Sequence, residues 1–305
     1  ISRTDDIIYT IIVAKDKNER FIGQFQRIPC KYYIDGELFD AFWGMDYIVE
    51  EASRGSAAGV FLAKKALKDD HFGMGLSPIS FKLHLLLGEK HISDYYKYIR
   101  FRSLSNLLKF AISIVIKHPL RSRTISDYYP NIINIGGVCF QKKSNPSDIN
   151  WEFENNNYIE FSRDKEFLSW RFGSYPKVFT TYTYGDESGT KAYFIIRNVI
   201  WKGFPFLLLV DYKYRGNTLQ PLLKAVSKIL KKSHNYGIIT LSSFSDVDRA
   251  LKHNHYIKFG SNGQIVTNVK INLSKQQIKQ RKSIFVTFAD SDADFFYGNK
   301  DWYEL

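Results

Sequence analysis

The stretch of this chain best suited to chemistry is Arg54-Gly55-Ser56-Ala57-Ala58-Gly59. A strand-like run from Leu38 to Glu50 precedes it, and Val60, Ala63 and Leu67 follow at helical spacing, so it reads as a small-residue loop between a strand and a helix. A chain that turns straight from a strand into a helix presents unpaired backbone N–H groups at the positive end of the helix dipole. Small side chains there let a pyrophosphate approach those groups closely. Two titratable side chains could serve such a site. Asp46 stands three residues before Val49 among aromatic neighbours, where burial would suit it to a general base. His84, within His84-Leu85-Leu86-Leu87-Gly88-Glu89, brings an imidazole able to exchange a proton near neutral pH. Glu50 and Glu51, closer to the loop, read as solvated.

The elements that must position these residues follow from periodicity. Residues 7–14 and 21–28 are β-branched runs flanking the polar turn Lys15-Asp16-Lys17-Asn18, which predicts a hairpin. After the third strand and the helix, Phe72 to Leu76 predicts another strand, Ile79 to Leu87 a short helix behind Pro78, and Ile92 to Ile99 a closing strand. Between Lys97 and Arg123 stand seven Lys or Arg and no acid, around the apolar stretch Leu107 to Ile116. This predicts a connecting helix packed between two lobes with solvated ends, with a membrane surface or an acidic polymer as the other reading.

The second half repeats the order of elements. A helix is expected over Asp164 to Phe172, then strands at Val178 to Tyr184, Ala192 to Ile200 and Phe204 to Tyr212. Arg215-Gly216-Asn217 leads into a long helix with Leu219, Leu222, Leu223, Val226, Ile229 and Leu230 on one face and Lys224, Lys228, Lys231 and Lys232 on the other. A strand at Ile238 to Ser242, a helix from Ser245 to Lys252, and strands near 256–259, 265–271 and 283–288 complete the half. Asp290-Ser291-Asp292-Ala293-Asp294 lacks the glycine and distal glutamate of a calcium loop and reads as a polar turn.

This order of strand, Arg-x-x-Gly-x-Gly/Ala-like loop, helix, strand, helix and strand, in each half, resembles the GNAT acyltransferase superfamily. Arg54, Ala57 and Gly59 match its Arg/Gln-x-x-Gly-x-Gly/Ala spacing, with Ala57 in place of the first glycine. The run Arg163-Asp164-Lys165-Glu166-Phe167-Leu168-Ser169-Trp170-Arg171-Phe172 is similar to a helix found near the start of tandem GNAT-like proteins. The resemblance implies an α/β (α+β) chain of two GNAT-like lobes, each a mixed, mainly antiparallel sheet flanked by helices. Its divisions would be an N-terminal lobe over 1–100, a basic connection over 101–150 and a C-terminal lobe over 151–305.

The resemblance also implies a coenzyme A-dependent N-acyltransferase that moves an acetyl group from acetyl-CoA to an amine on a sugar, amino acid or other metabolite, by direct attack and without a metal. Val49, Glu51, Arg54, Gly55, Ser56, Ala57, Ala58 and Gly59 would hold the donor, with a backbone N–H near Val49 to Glu51 as the oxyanion contact. His84 falls where many relatives carry a tyrosine general acid. In the second half Thr218 and Gln220 take the small-residue positions and Leu251 the acid position, which points away from chemistry there. Two other functions fit the same resemblance: a Fem-like aminoacyl transferase fed by charged tRNA, and a binding protein whose sites have decayed.

Composition bounds these readings. A chain of 305 residues with 44% hydrophobic and 16% aromatic residues builds substantial cores, which excludes a disordered or disulfide-stapled class. The net charge of +12 favours acidic partners and suits tRNA phosphates. Cys30 and Cys139 form no ligand cluster, so a reducing cytoplasm is expected and structural zinc is not. No apolar run approaches the roughly 20 residues of a membrane span. The first residues, Ile1-Ser2-Arg3, show neither an initiator methionine nor a signal pattern, so a segment upstream is expected. Acceptor and oligomeric state are not legible.

Overall fold

The computed structural model describes residues 10–116, 128–154, 156–175, 177–186 and 189–290. In chain order the elements are β1 (Thr10–Lys15), β2 (Phe21–Ile34), β3 (Glu37–Val49), α1 (Ala58–Ala66), β4 (His71–Met74), α2 (Pro78–Leu86), β5 (Lys90–Phe101) and α3 (Leu104–Val115). There follow β6 (Ile132–Ile135), β7 (Val138–Lys143), β8 (Ile159–Phe161), α4 (Lys165–Leu168), β9 (Thr180–Asp186), β10 (Gly189–Trp201) and β11 (Phe204–Tyr214). The last are α5 (Leu219–Lys232), β12 (Gly237–Ser242), α6 (Ser245–His253), β13 (Ile257–Thr267), α7 (Lys275–Lys279) and β14 (Ile284–Phe285).

The chain forms two compact units, each a mixed, mainly antiparallel sheet with helices. Unit 1 holds residues up to Tyr95 together with Glu154–Ser162 and Asn262–Phe285, and unit 2 holds Tyr96–Phe153, Arg163–Ser261 and the residues from Val286 on. These units differ from the contiguous division into 1–100, 101–150 and 151–305. The reason lies in strand exchange along the sequence: β8 pairs with β2 at Tyr32 and Tyr33, and the end of β13 pairs with β4 at Ile265 to Thr267, so two late segments complete the first unit.

In unit 1 the hairpin β1–β2 leads into the antiparallel pair β2–β3, and β4 adds in parallel beside β3. Its core is aromatic: Phe72 and Phe161 meet edge to face at 5.0 Å, and Trp43 lies 4.7 Å from Phe161. In unit 2, β7, β9, β10 and β11 are antiparallel neighbours and β12 adds in parallel beside β11. Phe204 to Val210 on β11 are wholly buried, apart from the proline among them, which the strand also covers. That continuous apolar run has no outward face because α5 lays Leu222, Leu223, Val226 and Ile229 against the sheet and turns its lysines to solvent.

Several sequence expectations change here. The connection over 101–150 contains the hairpin β6–β7, which turns at Gly136 and Gly137 with φ of 53° and 86°, the left-handed pair that a two-residue turn requires. The two strands expected near 256–259 and 265–271 are one strand, β13. The strand expected over 283–288 is the two-residue β14. Asp290 is no solvated turn residue: it is buried and its carboxylate meets Arg163 Nη2 at 2.7 Å. Residues 291–294 of that tract lie outside the described residues. Helix α3 belongs to unit 2 and exposes Leu104 and Val115, each at 79%. No helix among the described residues is long and apolar enough to cross a membrane.

Candidate functional site

The site of unit 1 begins with a fork in the sheet. Strand β3 pairs with β4 only at Phe42–His71, Trp43–Phe72 and Gly44–Gly73, yet it runs on to Val49 against β2. Beyond Gly44, β3 has no ladder partner in β4. Two residues past that point the strand bulges: Gln26 faces Met45 and Gln24 faces Ile48, so Asp46 and Tyr47 together oppose Phe25. Asp46 takes φ of 41°, a left-handed value that aspartate tolerates better than most side chains. The same construction recurs in unit 2. There parallel pairing ends at Leu208 and the extra residue is Val210, again two residues on.

After the bulge, Glu50 donates its N–H to Ile22 O at 2.9 Å, on the β2 side. Strand alternation therefore turns the Val49 N–H to the opposite edge, where the fork opens. Arg54 folds back so that its Nε meets Val49 O at 3.2 Å. Residues 51–53 form a single 3-10 turn, and Arg54, Gly55, Ser56 and Ala57 are all exposed. Ala57 is the N-cap of α1 and offers no capping side chain. Ser56 Oγ takes the Ala58 N–H at 3.2 Å, which leaves the first-turn N–H groups of Gly59 and Val60 without a helical carbonyl to meet. Gly55 has open space around its Cα. Gly59 does not: a Cβ there would stand 2.7 Å from the Tyr47 hydroxyl. The loop is thus exposed, and the bulged strand stands against its end at Gly59.

The matching loop of unit 2 is closed by its own side chains. Thr218 Oγ1 accepts the Arg215 N–H at 3.1 Å and donates to Arg215 O at 2.8 Å. Gln220 Oε1 accepts from Asn254 Nδ2 at 2.7 Å, and the Arg215 guanidinium lies 4.8 Å from the Trp151 ring while bonding Glu152 O. Leu251 is wholly buried. Where unit 1 has Tyr47 after its bulge, unit 2 has Asp211, fully buried and bound by Arg163 Nε at 2.8 Å, Tyr193 Oη at 2.8 Å and Thr287 Oγ1 at 2.7 Å. Burial opposes ionisation of Asp211, but the Arg163 charge prevails and holds its carboxyl below the usual range. This network fastens the interior of unit 2.

The two catalytic candidates are not brought together in the way the sequence implied. Asp46 is exposed at the bulge, because the extra residue rotates its side chain out of the aromatic face, and the burial its base role drew on is missing. His84 is buried, 1% exposed on α2, with Nδ1 at 2.5 Å from Glu89 Oε2. The other oxygen of Glu89 meets His71 Nδ1 at 2.7 Å. One carboxylate therefore bridges two imidazoles, whose rings lie roughly parallel at 5.9 Å. Ser77 caps α2 ahead of Pro78, and Gly88, at φ of 97°, turns the chain so that Glu89 reaches back under the helix. Asn268 Oδ1 and Thr267 Oγ1 pin the backbone of His71 on β4.

Burial holds the His71 imidazole below its ordinary range. Burial would raise Glu89, but the hydrogen bonds from His71 and His84 override it and hold the carboxyl low. Glu89 is then ionised and accepts both Nδ1–H groups, while Nε2 of each imidazole is buried with no hydrogen-bond partner. His71, His84 and Glu89 are also residue types that bind a metal ion. Their Nδ1–O contacts of 2.5 and 2.7 Å are hydrogen bonds to one carboxylate. Phe25 packs 5.4 Å from Tyr47 and 6.4 Å from His84, and Tyr47 stands edge-on to His84 at 6.5 Å. Bulge, loop and triad are in this way one packed assembly.

Sequence reasoning missed His71, Glu89 and Tyr47. Glu89 does end the run that contains His84, and a carboxylate five residues from a histidine across a glycine turn is a readable signal. His71 pairs with them only through the tertiary fold.

No family model matches the chain, and no curated protein matches it either. Solved structures do. A GCN5-related N-acetyltransferase from Anabaena variabilis superposes with a TM-score of 0.52 at 11% identity, over 84% of this chain and 62% of that one. A protein of unknown function from Enterococcus faecalis, described as a probable N-acyltransferase, gives 0.53 at 13% identity over 83% and 60%. Saccharomyces cerevisiae N-myristoyltransferase, solved with bound myristoyl-CoA and inhibitors, gives 0.50 at 11% identity over 84% and 67%. The chain spans about three fifths of the length of the first two. Identities this low establish architecture and nothing finer: the chain shares its fold with these structures, a GCN5-related N-acetyltransferase among them.

Proposed function

We propose that the chain is a coenzyme A-dependent N-acyltransferase that works in unit 1 by direct attack of an amine on a thioester. The observation that carries this reading is the contrast between the two loops. The loop Arg54 to Gly59 is exposed, small and lined by free first-turn N–H groups, whereas Thr218, Gln220 and Arg215 fill its counterpart. A nucleotide pyrophosphate suits the first and cannot enter the second. Arg54 keeps four of its five donors for phosphate after bonding Val49 O, and Ser56, Ala57 and Ala58 leave room for it.

Each remaining role follows from position. The Val49 N–H supports the negative charge that develops on the thioester oxygen as the amine nitrogen adds to the carbonyl carbon. When the carbon–sulfur bond breaks, the sulfur takes the Nε2 proton of His84 in its imidazolium form, which Glu89 orients through Nδ1–H and which solvent reprotonates, and the amine nitrogen gives its own proton to solvent. Asp46 has no assigned role as base, since it is exposed. Phe25, Tyr47 and His84 pack against one another at the bulge, which favours a short acyl group such as acetyl over a long one.

Calorimetric titration with acetyl-CoA and with myristoyl-CoA tests this reading. Binding of acetyl-CoA that falls at least about tenfold in Ala57→Glu supports it, and no heat from either ligand removes it. With a responsive amine in hand, His84→Ala should lower kcat by about 10²-fold or more; unchanged turnover dismisses His84 alone. Salt-dependent binding of charged tRNA in place of acetyl-CoA would instead favour aminoacyl transfer.

A further inference from the structure

Helix α3 is turned inside out. Ser103 caps it by accepting the Asn106 N–H at 3.2 Å, and the residues it buries are Asn106, Phe110 and Ser113. Phe110 anchors the helix, with its ring 5.2 Å from Trp201 and 5.5 Å from Phe101, Phe204 and Phe206. The opposite face is apolar and open: Leu104 is 79% exposed, Leu108 61%, Ile112 51% and Val115 79%. At 3.6 residues per turn these four, with Ala111, fall within about 100° of the helix circumference. A helix that packs only against its own sheet would place that stripe inward and its asparagine and serine outward. This one does the reverse.

Charge says what covers the stripe. No acid occurs between Asp94 and Asp127, while seven Lys or Arg do, and Lys109 is exposed beside the stripe. Arg100 and Arg102 are drawn inward, onto Ser227 Oγ and Ser233 O. A second copy of the chain would set like charges against each other. One face of a 12-residue helix is also far smaller than the roughly 800 Å² per partner of a stable interface. Nucleic acid offers phosphate but nothing for four exposed aliphatic side chains. An anionic lipid surface offers both, with acyl chains for the stripe and headgroups for Lys109 beside it.

We propose that α3 is an interfacial helix that seats the protein on anionic phospholipid, with Leu104, Leu108, Ile112 and Val115 in the acyl boundary and Lys109 among the headgroups. The helix lies in the membrane plane and does not cross the bilayer. This inference stands independently of acyl transfer.

Co-sedimentation of the full chain with vesicles of phosphatidylcholine, with and without phosphatidylglycerol, tests it. The wild type should bind the phosphatidylglycerol vesicles and lose most of that binding in high salt. Leu108→Glu with Val115→Glu should weaken binding by at least about tenfold, at an unchanged thermal midpoint because both positions are exposed. Lys109→Glu, a change that leaves the apolar stripe intact, should narrow the preference for the anionic vesicles, and it serves as the second readout should the double variant fold poorly. Three results overturn the proposal: no binding to anionic vesicles at low salt, undiminished binding by a folded double variant, or a wild-type dimer in sedimentation velocity that the double variant converts to monomer.

Discussion

The hydroxyl of Tyr47 occupies the space a side chain on Gly59 would need, 2.7 Å from the ideal Cβ position, with Val49 Cγ2 beside it at 3.4 Å. The ring carbon that bears the hydroxyl is 3.7 Å away, an ordinary contact. Gly59→Ala should therefore cost about 1–3 kcal/mol through overpacking. In a Tyr47→Phe background the same substitution should cost less than half of that, since only the hydroxyl obstructs it. Urea denaturation of the four proteins measures the coupling.

Acid should loosen unit 1 in two stages. Burial holds His71 below its ordinary 6.5, and the bonds from both imidazoles hold Glu89 below its ordinary 4.5 although burial acts the other way. For both groups the unfolded chain takes up its proton first. Their contribution is complete above the unfolded values and is lost as pH falls, from about pH 6.5 downward for His71 and from about pH 4.5 downward for Glu89. The urea midpoint should decline across the upper window in the wild type and decline less steeply in His71→Gln.

Arg163 is the counter-charge for two carboxylates in the interior of unit 2. Its guanidinium meets Asp211 at 2.8 Å and Asp290 at 2.7 Å with all three side chains at 1% exposure or less. Arg163→Met leaves two buried carboxylates without their counter-charge and should destabilise the protein by about 3–5 kcal/mol. Asp211→Asn added to Arg163→Met should recover part of that loss. A strictly additive double variant would show that the pair does not interact.

The architecture of each unit was legible because its signals are local. The Arg54 to Gly59 loop, the lysine-backed face of α5 and the apolar run of β11 announce a turn, an amphipathic helix and a buried strand within a dozen residues each. The hairpin at Gly136 and Gly137 was legible in principle, since a glycine pair between Ile135 and Val138 is a strong turn signal, but the basic charge around α3 drew the segment into a connection. The membership of β8 in unit 1 was not legible: three residues carry no period, and only pairing with Tyr32 and Tyr33 defines them. Asp46 shows the same limit at the site. A one-residue bulge reverses which face a side chain takes, and bulges leave no mark in residue type. His84 was found by position in a motif and Glu89 stands five residues on from it, whereas their partner His71 became visible only through the tertiary fold.

Backbone hydrogen exchange with and without coenzyme A tests the central claim most directly, because it reads the two loops in one experiment. Amides of residues 57–60 should exchange more slowly with ligand present, and those of residues 216–220 should not change. Protection confined to 216–220, or none at either loop under saturating ligand, would contradict the assignment of the donor site to unit 1.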